Sequence, residues 1–387
     1  MKTSWQRRPV FVAGLGLSHF DYLPDVPPTQ YASEMIFQAL RDAEMEWKDI
    51  QAVFCGACYL GVAIGHKIIK EVGLTGIPIV NIENACSTGA SALRLAYQAV
   101  AAEIHDVVLV IGVEKNPKGP IPSKAFLPWE SQLGFNFQPG NYALETVKYM
   151  NRTGATEEDI SLVTVKNRKN ASLNPNARFQ TPVTLEEVMN SRMVAPPLRL
   201  FHCCPLADGA AVAIICSHDK LKSLSRAVRV AAAVLRTATY KEEYVPGGII
   251  GSAKFPAIVN SVRASAREAY EMSGYGPDDI DVVQAYDSVS SSELWDIEEL
   301  GFCGEGEAHR LLRDGVFDID GRLPVNTDGG LMGRGHPMGA TGLGQILEVV
   351  TQLRGEAGPR QVKDARIGLT HAMGAGPNST VTILSKK

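Results

Sequence analysis

Cys86 stands in "IENACSTGASALRLAYQAV", residues 82–100, between a short apolar run and a segment with helical periodicity. Small residues surround it: Ala85, Ser87, Thr88, Gly89 and Ala90. A helix N-terminus offers unpaired N–H groups and a partial positive charge, and both favour thiolate over thiol. A thiolate is the nucleophile that can carry an acyl group, and small neighbours let a substrate approach. On this segment alone, a buried cysteine filling space is an equal reading.

Three further stretches hold side chains suited to the same chemistry. His336 lies in "NTDGGLMGRGHPMGATG", 326–342, just before a helix and among many glycines. A histidine there can take a proton from a thiol or donate to a developing oxyanion. In "THAMGAGPNS", 370–379, a strand leads into a Gly-rich turn whose N–H groups suit an oxyanion hole. In "VVQAYDSVSSSEL", 282–294, a strand ends in Tyr286, Asp287 and Ser288 before a helix. Asp287 or Ser288 reads as an N-cap of that helix; Tyr286 does not.

Alternating strands and helices must position these four stretches. "VFVAGLG", "IQAVFCGA", "IPIVNIEN" and "DVVLVIGVE" read as strands, with "YASEMIFQALRDAEM" and the segment after Cys86 as helices. This rhythm predicts a largely buried sheet with helices on its faces. From about 115 to 200 the pattern becomes rich in Pro, Gly and Asn, with helical stretches near 141–153 and 157–171. That segment reads as an excursion from the sheet that could cover a ligand. "GAAVAIICS" then resumes strand character, and a second round of the same plan begins near 227. In each half a strand, a small-residue turn and a helix carry one reactive side chain, Cys86 in the first and His336 in the second. The domain reading is therefore 1–226 and 227–387.

The composition bounds the rest. The 387 residues are 45% hydrophobic and 21% charged, with a formal net charge of −4. This is ordinary globular composition with no global basic field for nucleic acid or anionic membrane. No apolar run approaches the roughly 20 residues that span a bilayer, and the N-terminal basic-then-apolar stretch reads as a first strand rather than a signal peptide. Seven cysteines without regular spacing fit reduced thiols and a cytoplasmic setting. "CGAC" at 55–58 has no second pair, so its two cysteines read as buried strand and loop residues rather than a metal site.

These four stretches, in this order, resemble the thiolase superfamily over essentially the whole chain. "GHPMGATG" together with "ACSTGA" and the C-terminal "MGAG" turn carries most of the resemblance. "HCCPLADGAAVAII", 202–215, is similar to the family's strand returning from a lid-like loop region. The resemblance implies an α/β thiolase fold, five-layered αβαβα with two pseudo-repeated halves, and a homodimer core. It implies coenzyme A as a substrate, Cys86 as the acyl-carrying nucleophile and His336 as its base and an oxyanion donor. The backbone N–H groups of Cys86 and Gly374 would form a second oxyanion hole.

Two departures narrow the subfamily. Ala372 stands where many thiolases carry a second, acid/base cysteine, and the HDCF motif of sterol-carrier-protein-type thiolases reads "YDSV" here. Cys203 and Cys204 fall on the wrong strand in this alignment. Tyr286 becomes the candidate for the second acid/base, with His371 another. The "YDS" version is similar to subunits that work with a small zinc-ribbon/OB-fold partner, in which any zinc would reside. Such pairs include archaeal acetoacetyl-CoA thiolases, benzoylsuccinyl-CoA thiolase and steroid side-chain aldolases.

The expected reaction is CoA-dependent cleavage of a 3-oxoacyl-CoA through acyl-Cys86. Three alternatives stand beside it: a retro-aldol lyase acting on a 3-hydroxyacyl-CoA, a decarboxylating ketoacyl synthase, and a non-catalytic acyl-CoA-binding subunit. Cys86 and His336 together favour acyl transfer, and the histidine a synthase needs near 286 is absent. Phe126, Trp129, Phe135 and Phe137 in the loop region suit an aromatic acyl group, as in benzoylsuccinyl-CoA, and suit packing equally. "KNPKGPIPSK" and "KNRKNASLNPNARF" could meet CoA phosphates or could be solvated surface, so no CoA contact is assigned.

Overall fold

A computed structural model describes residues 8–117, 128–134, 136–237, 255–375 and 378–386. The strands are β1 (Val10–Leu17), β2 (Ala52–Gly56), β3 (Ile79–Ile82), β4 (Val107–Glu114), β5 (Met193–Ala195), β6 (Leu198–Arg199), β7 (Gly209–Ser217), β8 (Val228–Thr237), β9 (Val282–Gln284), β10 (Ile367–Gly374) and β11 (Asn378–Lys386). The helices of the first half are α1 (Pro28–Ala43), α2 (Ile64–Val72), α3 (Thr88–Ala101), α4 (Pro128–Gln132), α5 (Gln138–Thr153), α6 (Glu157–Ala171) and α7 (Leu185–Met189). Those of the second are α8 (Phe255–Ser273), α9 (Ser290–Glu299), α10 (Ala308–Arg313), α11 (Gly330–Arg334) and α12 (Met338–Arg354).

Local chemistry explains several boundaries. α1 begins with proline in its first turn, where the missing N–H costs nothing. α6 starts on a capping box in which Thr156 and Asp159 satisfy each other's backbone N–H groups. α12 stops at Gly355, whose left-handed φ of 77° closes the helix. β4 and β7 are buried along their whole lengths, as unbroken apolar runs require of central strands.

Nine strands form one sheet in the order β3-β2-β4-β7-β1-β8-β11-β10-β9. The order is a repeat. β1 pairs antiparallel with β7, β7 with β4, and β4 runs parallel to β2; β8, β11, β10 and β9 repeat those relations. A single parallel bridge, Val283↔Val325, stands where the first half has β3 beside β2. β3 leads to Cys86 and Val325 leads towards His336, so the two reactive residues occupy matching places. β1 and β8 join the halves through Phe11↔Arg229 and Val12↔Val228.

The layers follow the αβαβα order. α1 and α2 bury Ile36, Leu40, Ile68 and Ile69 on one face of the first-half strands. α3 and α12 share a core with β1, β4 and β7 on one side and β8 and β11 on the other. α8 packs Val262, Ala266 and Ala269 on the outer face of the second half, in a core that α5, α6 and α9 also enter. The sequence pattern points to these elements except α2, and it also misses α4, α7, α10, α11 and the β5-β6 pair inside the loop region, all of them short.

α3 and α12 approach closely through their first turns. A Cβ on Gly89 would lie 2.8 Å from the Leu343 backbone nitrogen and 2.9 Å from the Gly339 carbonyl. A Cβ on Gly342 would lie 3.0 Å from the Ala90 backbone nitrogen. Backbone cannot yield as a flexible side chain can, so Gly89→Val is expected to destabilise by about 3 kcal/mol or more. Urea unfolding checks this, with Gly276→Ala as the control. At Gly276 the nearest atom to an added Cβ lies 3.8 Å away.

Candidate active site

Cys86 sits on a short 3₁₀ turn, Ala85–Ser87, that runs into α3. Ala85 is held at φ 48°, a left-handed conformation that costs an alanine free energy. Local bonds hold it there: Ala85 N–H donates to Glu83 Oε1 at 2.7 Å and Asn84 N–H to Thr88 Oγ1 at 2.7 Å. Ser87 hydrogen-bonds Asn378 of β11, and a Cβ on Gly374 would collide with the Asn84 carbonyl. The Cys86 turn and the end of β10 are thus in contact, as a two-sided oxyanion hole needs.

His336 follows α11, and Asp287 fixes that helix. The sequence reading makes Asp287 or Ser288 the cap of α9, but the Asp287 carboxylate accepts instead from Leu331 N–H at 2.7 Å and Met332 N–H at 3.1 Å, the first turn of α11. Burial and the neighbouring Glu293 push the Asp287 carboxyl up, and these two N–H bonds at the helix N-terminus oppose that rise. Asn167 donates to Asp287 at 2.8 Å and to Glu293 at 2.7 Å, and Lys166 pairs with Glu293 at 3.0 Å. The loop-region helix α6 is thereby tied into the core, and Lys166 is not free to meet a phosphate.

The ring of His336 is oriented by Thr341. The Thr341 hydroxyl donates to the Pro337 carbonyl at 3.0 Å and lies 2.7 Å from His336 Nδ1. With its only hydrogen committed, Thr341 Oγ1 accepts from Nδ1–H, which leaves a lone pair on Nε2. Burial, aided by the Arg334 guanidinium, holds His336 down at about 3, so its ring is neutral and ready to accept a proton.

Tyr286 is buried and meets His336 edge-on, with ring centroids 6.0 Å apart and planes at 78°. Its hydroxyl lies near the Cys86 thiol and pulls that thiol down. Burial, with Cys86 and Tyr142 nearby, pushes the Tyr286 phenol up, so it stays a donor. Its backbone N–H donates to Asp296 Oδ2 at 3.0 Å. The same oxygen lies 2.7 Å from His371 Nδ1, while His371 Nε2 lies 3.1 Å from Ser379 Oγ. Both nitrogens of the fully buried His371 are engaged, and the residue braces the strand end that carries Tyr286.

Burial pushes the Cys86 thiol up to about 11, against the pull of the Tyr286 phenol, with Glu114 and Glu83 adding to the rise. The positive end of α3 does not overcome this, so Cys86 rests as a thiol and not as the thiolate that its place at a helix mouth predicts.

Four neighbours of the site escape the sequence reading. Cys58 donates its thiol hydrogen to the Ala85 carbonyl at 3.2 Å, beneath the nucleophile turn. Glu114, buried at the end of β4, accepts from Cys58, Tyr59 and Gly339 N–H groups at 2.9, 3.1 and 3.1 Å. An acid closing an otherwise apolar strand was its signal. Tyr142 of α5 lies against Ser288. Cys204 lies on no strand. It occupies an extended connection where its N–H donates to the Ser288 carbonyl at 3.1 Å, which brings it beside the "YDSV" turn. Trp129 and Phe137 are half exposed, 43% and 50%; Phe126 and Phe135 lie outside the described residues.

The raised Cys86 thiol has a measurable consequence. Iodoacetamide labelling of Cys86, followed by peptide mass spectrometry, is expected to rise about tenfold per pH unit from about pH 7 to about pH 10. Tyr286→Phe removes the hydroxyl that lowers the thiol and should slow labelling at every pH. A plateau reached by about pH 8 would show a thiolate instead.

Comparison with known proteins agrees with this geometry. Residues 18–219 match the thiolase N-terminal domain and residues 250–386 the thiolase C-terminal domain-like family. The acetyl-CoA acetyltransferase of Methanothermobacter thermautotrophicus is 39% identical over 98% of this chain and 100% of its own. The benzoylsuccinyl-CoA thiolase subunit BbsB of Thauera aromatica is 35% identical over 95% of each chain. Among solved structures, the Ltp2-ChsH2(DUF35) aldolase superposes with a TM-score of 0.82 at 27% identity, covering 98% of both chains. With family matches across both halves and relatives of this identity along its whole length, the chain belongs to the thiolase family of acyltransferases.

Proposed function

We propose that this chain cleaves a 3-oxoacyl-CoA with free CoA, through an acyl group carried on Cys86. One observation supports this most: the buried Tyr286 ring packs edge-on against a neutral His336 with a free Nε2, and the Tyr286 phenol lies near enough to Cys86 to pull its thiol down. His336 Nε2 takes the Cys86 proton as the sulfur attacks the 3-oxo carbon. Tyr286 and the N–H groups of Cys86 and Gly374 stabilise the charge that develops. The C2–C3 bond breaks, a CoA ester enolate leaves beside His336, and CoA then takes the acyl group from Cys86. His371, engaged on both nitrogens, positions Tyr286 rather than transferring a proton.

An aromatic acyl group is the substrate reading, supported by similarity to the benzoylsuccinyl-CoA thiolase subunit and by the exposed Trp129 and Phe137. A small partner subunit of the zinc-ribbon/OB-fold kind is supported by the two-component aldolase that this chain resembles. A homodimer is supported by the open edge of the sheet, where Val80 and Asn81 of β3 are exposed beside Val62, 87% exposed. Seven free cysteines suit a reducing, cytoplasmic compartment. The retro-aldol reading keeps one supporting observation, the same aldolase neighbour.

Intact mass after exposure to 3-oxoacyl-CoA esters without free CoA tests the reaction. An acyl adduct is expected on the wild type and not on Cys86→Ala. His336→Ala should lower turnover by about 10²–10⁴-fold. Cleavage that survives Cys86→Ala without an adduct would favour the retro-aldol reading. Recovery of the chain alone from its native host would count against the partner.

A further inference from the structure

Thiolytic cleavage leaves one proton unassigned. The departing enolate needs a proton at C2, and the incoming CoA thiol must lose one. Cys86 and His336 exchange their own proton. Burial, with Cys86 and Tyr142 nearby, pushes the Tyr286 phenol up and makes it a poor proton donor, and His371 is engaged by Asp296 and Ser379. The group required is a protonated acid, close to Cys86 and reachable from the substrate side.

Cys58 faces the wrong way, since its thiol donates to the Ala85 carbonyl beneath the turn. Cys203 bridges to Val289, one residue further from His336. Cys204 is pinned from both sides by the catalytic loops. Its N–H donates to the Ser288 carbonyl at 3.1 Å, and the carbonyl of the next residue, Pro205, accepts the His336 N–H at 2.9 Å. Leu206 then pairs in parallel with His336. Cys204 therefore stands between the turn that carries Tyr286 and the turn that carries His336. It packs, like Cys86, on the buried cluster that holds Tyr286 and Ala372, and it keeps part of its surface accessible.

We propose that the Cys204 thiol is the second acid/base of the reaction, supplied from the connection before β7 rather than from the turn after β10. This rests on the acyl-Cys86 reading. Cys204 S–H gives its proton to C2 of the enolate as the C2–C3 bond breaks, and becomes a thiolate. The incoming CoA S–H returns a proton to Cys204, and the CoA sulfur attacks the acyl carbon. The Cys86–acyl bond breaks, and Cys86 recovers its proton from His336. No proton is gained or lost over the cycle. Burial, with Asp287, Cys203 and Cys86 nearby, pushes the Cys204 thiol up and keeps it protonated at rest, the form an acid requires.

The full chain, with any co-purifying partner, is incubated in D₂O with acetyl-CoA, benzoyl-CoA and succinyl-CoA in turn. Acyl mass on Cys86 and deuterium at C2 of recovered acetyl-CoA and succinyl-CoA are read from the same samples. Cys204→Ala and Cys204→Ser are expected to lower deuterium incorporation by about 10²-fold or more while still forming the Cys86 adduct, more slowly, because CoA can leave as a thiolate whereas the C2 carbanion cannot do without an acid/base. Cys203→Ala, the adjacent control, keeps both. Wild-type exchange in Cys204→Ala overturns the proposal and leaves the Cys86 reading standing. Loss of the adduct together with exchange in both Cys204 variants overturns it in favour of a structural role. No adduct and no exchange in the wild type with all three esters overturns the acyl-Cys86 reading, and this proposal with it.

Discussion

Gly89 and Gly342 let the first turns of α3 and α12 touch backbone to backbone, and that contact governs the chemistry of the site. It brings the turn that carries Cys86 against the turn that carries His336. A buried thiol resists ionising and a buried imidazole resists protonation. The two effects act in the same direction: Cys86 is pushed up, His336 is held down, and the resting pair is neutral. In the reaction proposed above, the nucleophile is therefore made at the moment of attack. Tyr286 bears on both partners, with its phenol pulling the Cys86 thiol down and its ring edge-on to the imidazole.

The second half of the site is held by polar contacts that cross between elements far apart in sequence. Asp287 closes the N-terminus of α11, Asp296 links the Tyr286 backbone to His371 of β10, and Lys166 of α6 meets Glu293 of α9. Replacing a buried ion pair whole is often neutral for stability, whereas removing one partner costs about 3–5 kcal/mol. The value of this network lies in geometry. It fixes the strand end that carries Tyr286 relative to the turn that carries His336.

Much of this was legible in the sequence. The alternation of apolar runs and amphipathic segments gave β1, β4, β7 and α12 nearly residue for residue, because long, strongly patterned elements bury one face or both, and overran the shorter β2 and β3 at both ends. The likeness of Cys86 and His336, each after a strand and before a helix, is visible in pattern and appears as the matched places of β3 and Val325. What was not legible depends on contacts between distant segments. Asp287 reads as a local cap because capping residues usually serve their own helix; here it serves α11. His371 reads as an acid/base until Asp296 and Ser379 are seen on its two nitrogens. Cys204 reads as misplaced because strand assignment says nothing of an extended connection that passes between two catalytic turns. Burial also reverses the local expectation at Cys86, since a helix terminus contributes less than desolvation costs.

The central claim is that the resting site holds a neutral thiol and a neutral imidazole protonated on Nδ1. ¹⁵N spectra of the histidine-labelled protein, with His336→Gln to assign the signal, test it most directly. A neutral ring with Nδ1–H and bare Nε2 is expected, unchanged between about pH 8 and about pH 5. An imidazolium signal at neutral pH would mean that Cys86 and His336 rest as an ion pair, and would contradict it.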